Sequence, residues 1–197
     1  MKHSRLYILP LLLLLVCFLS GCRAPQNPAD EFRIHGNIWV NELEGATVYL
    51  CPLGADKKIR IDSTIVKNGS FAFSGYKHFM AEIRTKPLAR ASFPNLLIVT
   101  EPGDIYVSLG PENKVSGTLG NDTLQAWQLA TEEITRKIKS FGGIIDFAES
   151  AGDEASRNLY QHKRDSVYNA YVVRTRKMAE GVESPLKEFM EGLYPEK

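Results

Sequence analysis

Cysteine is scarce in this sequence, and charge of neither sign is in excess. Three cysteines in 197 residues are too few for a disulfide scaffold or for a four-thiolate zinc or iron–sulfur site. The 24 Lys and Arg side chains face 23 Asp and Glu, for a net charge of +1. That balance lacks the basic surplus of a nucleic-acid binder, so no nucleic-acid partner is expected. The sequence has no Gly-x-Ser-x-Gly elbow and no phosphate-binding loop, which removes two common enzyme signatures. What is present is ordinary globular composition, 44% hydrophobic and 24% charged. Disordered, collagenous and coiled-coil chains do not have it.

The N-terminus carries an address. Lys2 and Arg5 precede an apolar run from Leu6 to Leu19. About 14 apolar residues are too few to cross roughly 30 Å of hydrocarbon as a stable helix. A charged start and a short apolar run predict a secretory signal over residues 1–21. Leu19-Ser20-Gly21-Cys22 resembles the lipobox of bacterial lipoproteins. In those proteins the cysteine receives a diacylglycerol thioether, the chain is cut before it, and its new N-terminus is acylated. Several acyl chains anchor stably where one does not. The resemblance therefore implies lipidation at Cys22 and attachment to a membrane of the bacterial cell envelope. Arg23, rather than Asp, after the lipidated cysteine implies the outer membrane. Residues 22–31 then read as the lipidated cysteine and a polar, proline-containing tether. Removing residues 1–21 leaves 176 residues with 22 basic and 23 acidic side chains, so the lipid has no basic patch to assist it.

With Cys17 lost and Cys22 acylated, Cys51 is the one free thiol. An odd thiol in an oxidising compartment is a candidate for a redox or mixed-disulfide role. A buried strand cysteine is the competing reading. No charged residue lies within three positions of Cys51, so nothing local lowers its pKa.

Residues 32–120 are short two-periodic runs broken by turn residues. Phe32, Ile34 and Ile38 alternate, as do Ala46, Val48 and Leu50, then Ile59, Ile61 and Ile65, then Phe71 and Phe73, and later Ile105, Val107 and Leu109. Leu96-Leu97-Ile98-Val99 is continuous, as in a strand buried on both faces. Asn68-Gly69 is a hairpin signal, because both residues tolerate positive φ. About eight strands at this spacing predict an antiparallel β-sandwich.

Residues 121–197 change period and predict a helical region packed on or beside the sandwich. Leu124, Trp127, Ile134, Ile138 and Phe141 follow helical steps, with Asn121 or Asp122 as cap and Gly142-Gly143 as stop. A second helix is expected from Asp153 to Ala179, ended by Gly181. A short third is expected with Ser184 as cap and Pro185 as its first residue. The fold class is α+β by segregation, a sandwich followed by two long helices and a short one.

Three segments carry a family resemblance: the opening Phe32-Arg33-Ile34-His35-Gly36-Asn37-Ile38 with Val48-Tyr49-Leu50, the stretch from Ile61 to Gly75, and Val115-Ser116-Gly117-Thr118-Leu119-Gly120-Asn121-Asp122. Together they resemble an uncharacterised domain of lipoproteins from Bacteroidetes-type bacteria. In many of those proteins it precedes a thioredoxin-like or peroxiredoxin-like thiol–disulfide oxidoreductase domain. The resemblance implies a fold, an envelope location and a thiol-redox neighbourhood. It implies no catalytic residue, because no cysteine follows Cys51 and the sequence holds no Cys-x-x-Cys.

Other constellations are weak. His35, His78 and His162 are far apart in sequence and have no ligand spacing, so no metal and no cofactor is expected. Glu132-Glu133 and Asp153-Glu154 are neighbours whose side chains diverge on a helix. Arg136, Lys137 and Lys139, and Arg174, Arg176 and Lys177, are small basic clusters on helices with interleaved acids. Tyr49, Tyr106, Tyr160, Tyr168 and Tyr171 are candidates for a ligand groove, against packing roles. Asp62-Ser63-Thr64, Asp122-Thr123-Leu124 and Asp165-Ser166-Val167 resemble an O-glycosylation motif of such bacteria. The expectation is a non-enzymatic, lipid-anchored binding domain with a protein or other partner in the envelope. The alternative is an accessory to a thiol–disulfide system, acting through Cys51.

Overall fold

The computed structural model describes residues 27–40, 43–56, 59–85 and 95–195. The signal and Cys22 lie outside the described residues. Of the tether, Pro28–Asp30 forms a 3-10 turn, with Asn27 Oδ1 accepting from the Ala29 amide at 3.1 Å.

Eight strands follow: β1 Phe32–Ile38, β2 Thr47–Pro52, β3 Asp62–Ile65, β4 Ser70–Gly75, β5 Met80–Thr85, β6 Leu96–Val99, β7 Gly103–Leu109 and β8 Lys114–Ser116. They form two four-stranded sheets, ordered β4-β1-β7-β8 and β3-β2-β5-β6. Ile34, Phe71, Phe73, Ile105 and Val107 of the first sheet meet Val48, Leu50, Ala81, Ile83 and Ile98 of the second. This is the expected sandwich, with one departure. β1 and β7 pair in parallel, from Phe32 opposite Gly103 to Ile38 opposite Leu109. Parallel neighbours need a long crossover, and the connection between them holds the whole second sheet together with β4.

The Asn68-Gly69 turn forms, with φ of 53° and 68°. Its flanking strands do not pair as an ordinary hairpin, because β3 enters the second sheet and β4 the first. The Glu44 carboxylate accepts from the Gly69 and Asn68 amides at 2.9 and 2.8 Å, which hold its pKa below the usual carboxylate value. Ile59, Ile61 and Ile65 do not enter the core; all three are exposed. Val66 is buried instead. The alternation there is displaced by one residue, and a one-residue shift exchanges the two faces of a strand.

Three helices follow: α1 Leu119–Ser150, α2 Glu154–Glu180 and α3 Leu186–Leu193. α1 runs straight through Gly142-Gly143. Two interior glycines cost a helix about 2 kcal/mol. Pairing with α2 offsets that, since Ile145 and Ala148 beyond them are buried and Phe141 packs on Tyr160 at 5.9 Å. α2 begins one residue after Asp153, which caps it by accepting from the Ser156 amide at 3.0 Å. The third helix begins one residue later than its sequence predicts. Pro185 lies just outside it, and the Ser184 hydroxyl donates to Glu188 at 2.7 Å rather than capping.

The helices close one side of the sandwich. Met80, Leu97 and Val99, on the outer face of the second sheet, pack against Leu124, Trp127, Ala179, Leu186, Phe189 and Met190. β6 is thus apolar on both faces because it lies between the sandwich core and the helices. The start of α1 also seals two strand edges. Asn121 is buried, accepts from the Val99 amide at 3.0 Å and donates to the Val99 carbonyl at 2.8 Å. One turn later Gln125 accepts from the Val115 amide at 2.8 Å. Asn121 and Asp122 therefore do not cap α1. The Glu101 carboxylate does, accepting from the Thr118 hydroxyl and, at 3.1 Å, from the Asn121 amide.

Candidate binding face

The helices pack on the β5–β6 side of the second sheet, and among the described residues no element covers the outer face of the first sheet. Strand alternation decides what lies there. β1 turns Phe32, Ile34 and Ile38 inward, so Arg33, His35, Asn37 and the following Trp39 point outward. β7 turns Ile105, Val107 and Leu109 inward, so Asp104, Tyr106 and Ser108 point outward. The parallel register sets these residues side by side: Arg33 with Asp104, His35 with Tyr106, and Asn37 with Ser108.

The side chains of this row are tied together. Arg33 grips Asp104 with two hydrogen bonds, Nε to Oδ1 at 2.8 Å and Nη2 to Oδ2 at 3.0 Å. His35 Nε2 lies 2.9 Å from Asp104 Oδ1. An ionised carboxylate only accepts, which places the hydrogen on Nε2. The Arg33 bonds, with the His35 bond second, hold the Asp104 carboxyl far below its ordinary value, and Asp104 raises Arg33 in turn. His35 stacks on Tyr106, with ring centroids 5.4 Å apart. The Trp39 indole N–H donates to Ser108 Oγ at 2.7 Å, yet Trp39 is 77% exposed and Tyr106 54%. Two large aromatics are thus held in place without being covered.

The flanks of the row are low. Opposite Arg33, His35 and Asn37 stand Ser74, Ala72 and Ser70 of β4, and opposite Tyr106 stands Ser116 of β8. The charged groups are paired with one another: Arg33 also meets Glu31 at 3.4 Å, and Lys114 meets Glu112 at 3.5 Å.

Cys51 lies elsewhere, on the outer face of the second sheet, and is 2% exposed. It stands opposite Glu82, and Tyr49 opposite Arg84. Arg84 Nε donates to Glu82 Oε2 at 2.7 Å, Asn95 donates to the same oxygen at 2.9 Å, and Arg60 lies over the Tyr49 ring at 4.0 Å. Charges distant in sequence are therefore close in space. Burial nevertheless dominates and pushes the Cys51 thiol up, with Arg84 and then Arg60 opposing it and Glu82 adding to it.

The remaining candidates disperse. Of the five tyrosines, only Tyr106 is on the open face. Tyr49 is under Arg60, Tyr160 packs on Phe141, Tyr168 is exposed on α2, and Tyr171 shares hydroxyl contacts with Thr131 and Tyr194 at 2.6 and 3.0 Å. The tyrosines do not form a groove. Of the histidines, His78 Nε2 meets the Asp30 carbonyl at 2.9 Å and His162 is exposed on α2. Among the described residues no group of three or more His, Cys, Asp or Glu side chains could hold a metal ion. Glu133 pairs with Lys137 at 2.7 Å, and Arg176 binds the Tyr194 and Pro195 carbonyls at 3.2 and 2.7 Å. Ser63 and Ser166 are exposed, and Thr123 is half-buried. Sequence reasoning missed Arg33, Trp39, Asp104 and Ser108. The available signal was parity: Trp39 falls on the solvent side of an alternating strand.

Residues 32–124 match a family model described as a domain of unknown function (DUF4369). No curated protein and no solved structure matches the chain.

Proposed function

We propose that this chain is a lipid-anchored protein of the bacterial outer membrane, held by acyl groups on Cys22, whose sandwich is a non-catalytic binding module. The ligand lies on the open face of the first sheet. The observation that carries this is the pairing of exposure with fixation: Trp39 and Tyr106 are held by Ser108 and His35 but left uncovered. Ordered, exposed aromatics among polar partners are typical of recognition surfaces. The lipobox supplies the reading of location.

The test is oxidative footprinting of Trp39 in intact membranes and in purified full-length protein, beside a Cys22→Ala variant. Wild type is expected in the membrane fraction with Trp39 protected, and purified protein with Trp39 reactive. Cys22→Ala is expected in the soluble fraction. Equal reactivity of Trp39 in membranes and in pure protein would mean that the face is unoccupied and the binding reading wrong. Membrane retention of Cys22→Ala would remove the lipid anchor.

A mixed-disulfide role for Cys51 is the second reading, favoured by the Arg84 guanidinium beside the sulfur. Its burial and raised pKa oppose it, since the thiolate is the nucleophile. Iodoacetamide at neutral pH is expected to leave Cys51 unmodified in the native protein and to alkylate it in denaturant. Rapid native alkylation would revive the redox role.

A further inference from the structure

We infer that the open face of the first sheet takes a neutral oligosaccharide. The inference rests on the binding reading above and narrows it to a class of ligand. Three features of the face decide the class.

The first is charge. Arg33 is satisfied by Asp104 and Glu31, and Lys114 by Glu112. Within β1, β4, β7 and β8 themselves, an anionic or cationic partner finds no outward side chain with an unpaired countercharge. The second is the lack of aliphatic surface. The outward positions of β1, β4, β7 and β8 hold no aliphatic side chain larger than Ala72. The aliphatic side chains that would widen a dry apolar centre around the two rings for a protein partner are missing from these strands. The third is what stands in its place. Trp39 and Tyr106 offer rings to the C–H faces of sugar units, and Asn37, Ser70 and Ser108 offer polar atoms to the hydroxyls. Asn37 Oδ1 already accepts from Ser70 Oγ at 3.3 Å, so these polar groups are positioned before any ligand arrives. Groups fixed in advance lose little entropy on binding.

Shape agrees. The Trp39 indole rests on Ser108, two residues beyond Tyr106 on the same face of β7, or about 7 Å along the strand at ~3.3 Å per residue. The small side chains of β4 leave a low strip beside this row. An extended chain of sugars can lie along it and meet both rings.

The experiment uses the full-length protein in detergent with cellohexaose, maltohexaose, xylohexaose and N-acetylchitohexaose as neutral probes, and a heparin hexasaccharide as the charged one. Trp39 is one of two tryptophans, and the other, Trp127, packs on Phe189. Protection of tryptophan fluorescence from acrylamide therefore reports on the face. At least one neutral probe is expected to bind saturably and without salt dependence. Read by isothermal titration calorimetry, which needs no tryptophan on the face, Trp39→Ala and Tyr106→Ala should each weaken it by roughly tenfold or more, with an unchanged melting temperature. Leu129→Ala, on an exposed position of α1, should bind as wild type. Binding of heparin alone, or of no probe while Trp39 stays protected in membranes, overturns the neutral-sugar assignment and leaves the binding face standing. Binding of a neutral probe that both aromatic variants retain places the sugar elsewhere and overturns the assignment as well.

Discussion

Asn121→Ala is expected to destabilise the protein by about 3–5 kcal/mol, more than any polar truncation on its surface. The buried Asn121 amide satisfies both the N–H and the C=O of Val99. Removing it leaves two backbone groups without partners where water has no access. Each such group costs about 1–3 kcal/mol, and the small cavity adds to it. The Asn121 amide group also donates to Thr118 Oγ1 at 2.8 Å, so the Glu101–Thr118 cap of α1 loosens with it. For a domain of this size the melting temperature should fall by roughly 10 °C. Asn121→Asp separates the two roles. It keeps an acceptor for the Val99 amide, loses the donor to the carbonyl, and sets a carboxyl beside Glu101. It should be at least as damaging as alanine. A loss below about 1 kcal/mol for either variant, read from denaturant midpoints, would show that water replaces the side chain and that β6 needs no seal. Freed edges also recruit other strands. Size-exclusion chromatography should therefore show association of Asn121→Ala before it unfolds.

Gly117→Ala carries the second large effect. Gly117 has φ +106°, where L side chains are strained, and a Cβ there would stand 2.4 Å from the Asp104 carbonyl oxygen. That obstacle is backbone of β7, so no rotamer change relieves it. About 3 kcal/mol is expected from strain and contact together. The consequence also reaches the open face. The same Cβ would be 2.8 Å from Tyr106 Cδ2, so the ring that stacks on His35 must move. Gly117→Ala should lower stability and disturb ligand contact at once, whereas Tyr106→Ala should change contact alone. If Gly117→Ala melts within a degree or two of wild type, the turn into α1 is softer than its geometry implies.

Much of this architecture was legible in the chain. Alternation marked most of the strands and the inward residues of β1, β4 and β7, because period two is a local property. The continuous run Leu96–Val99 announced a strand covered on both sides. The change to helical period after Gly120 located α1, and Asp153 located the start of α2.

What was misread needed a partner to decide it. Gly142-Gly143 stops an isolated helix, but packing on α2 overrides a local preference of a few kcal/mol. Ile59 and Ile61 before β3 and Ile65 within it alternate correctly in the wrong phase, because either parity satisfies the period and only the neighbouring sheet selects one. Asn121 looks like a cap in sequence. It becomes an edge seal because β6, more than twenty residues earlier, ends beside it.

The candidate face shows the division most plainly. Local alternation alone determined that Arg33, His35 and Trp39 point away from the core. The long crossover that sets β1 parallel to β7 decided that they meet Asp104, Tyr106 and Ser108. No local pattern encodes a pairing of strands some seventy residues apart; it follows from burying two sheets against each other. The helices then pack on the second sheet, because Leu97, Val99 and Met80 give its β5–β6 side an apolar outer surface, whereas the outward positions of the first sheet hold no aliphatic side chain larger than Ala72.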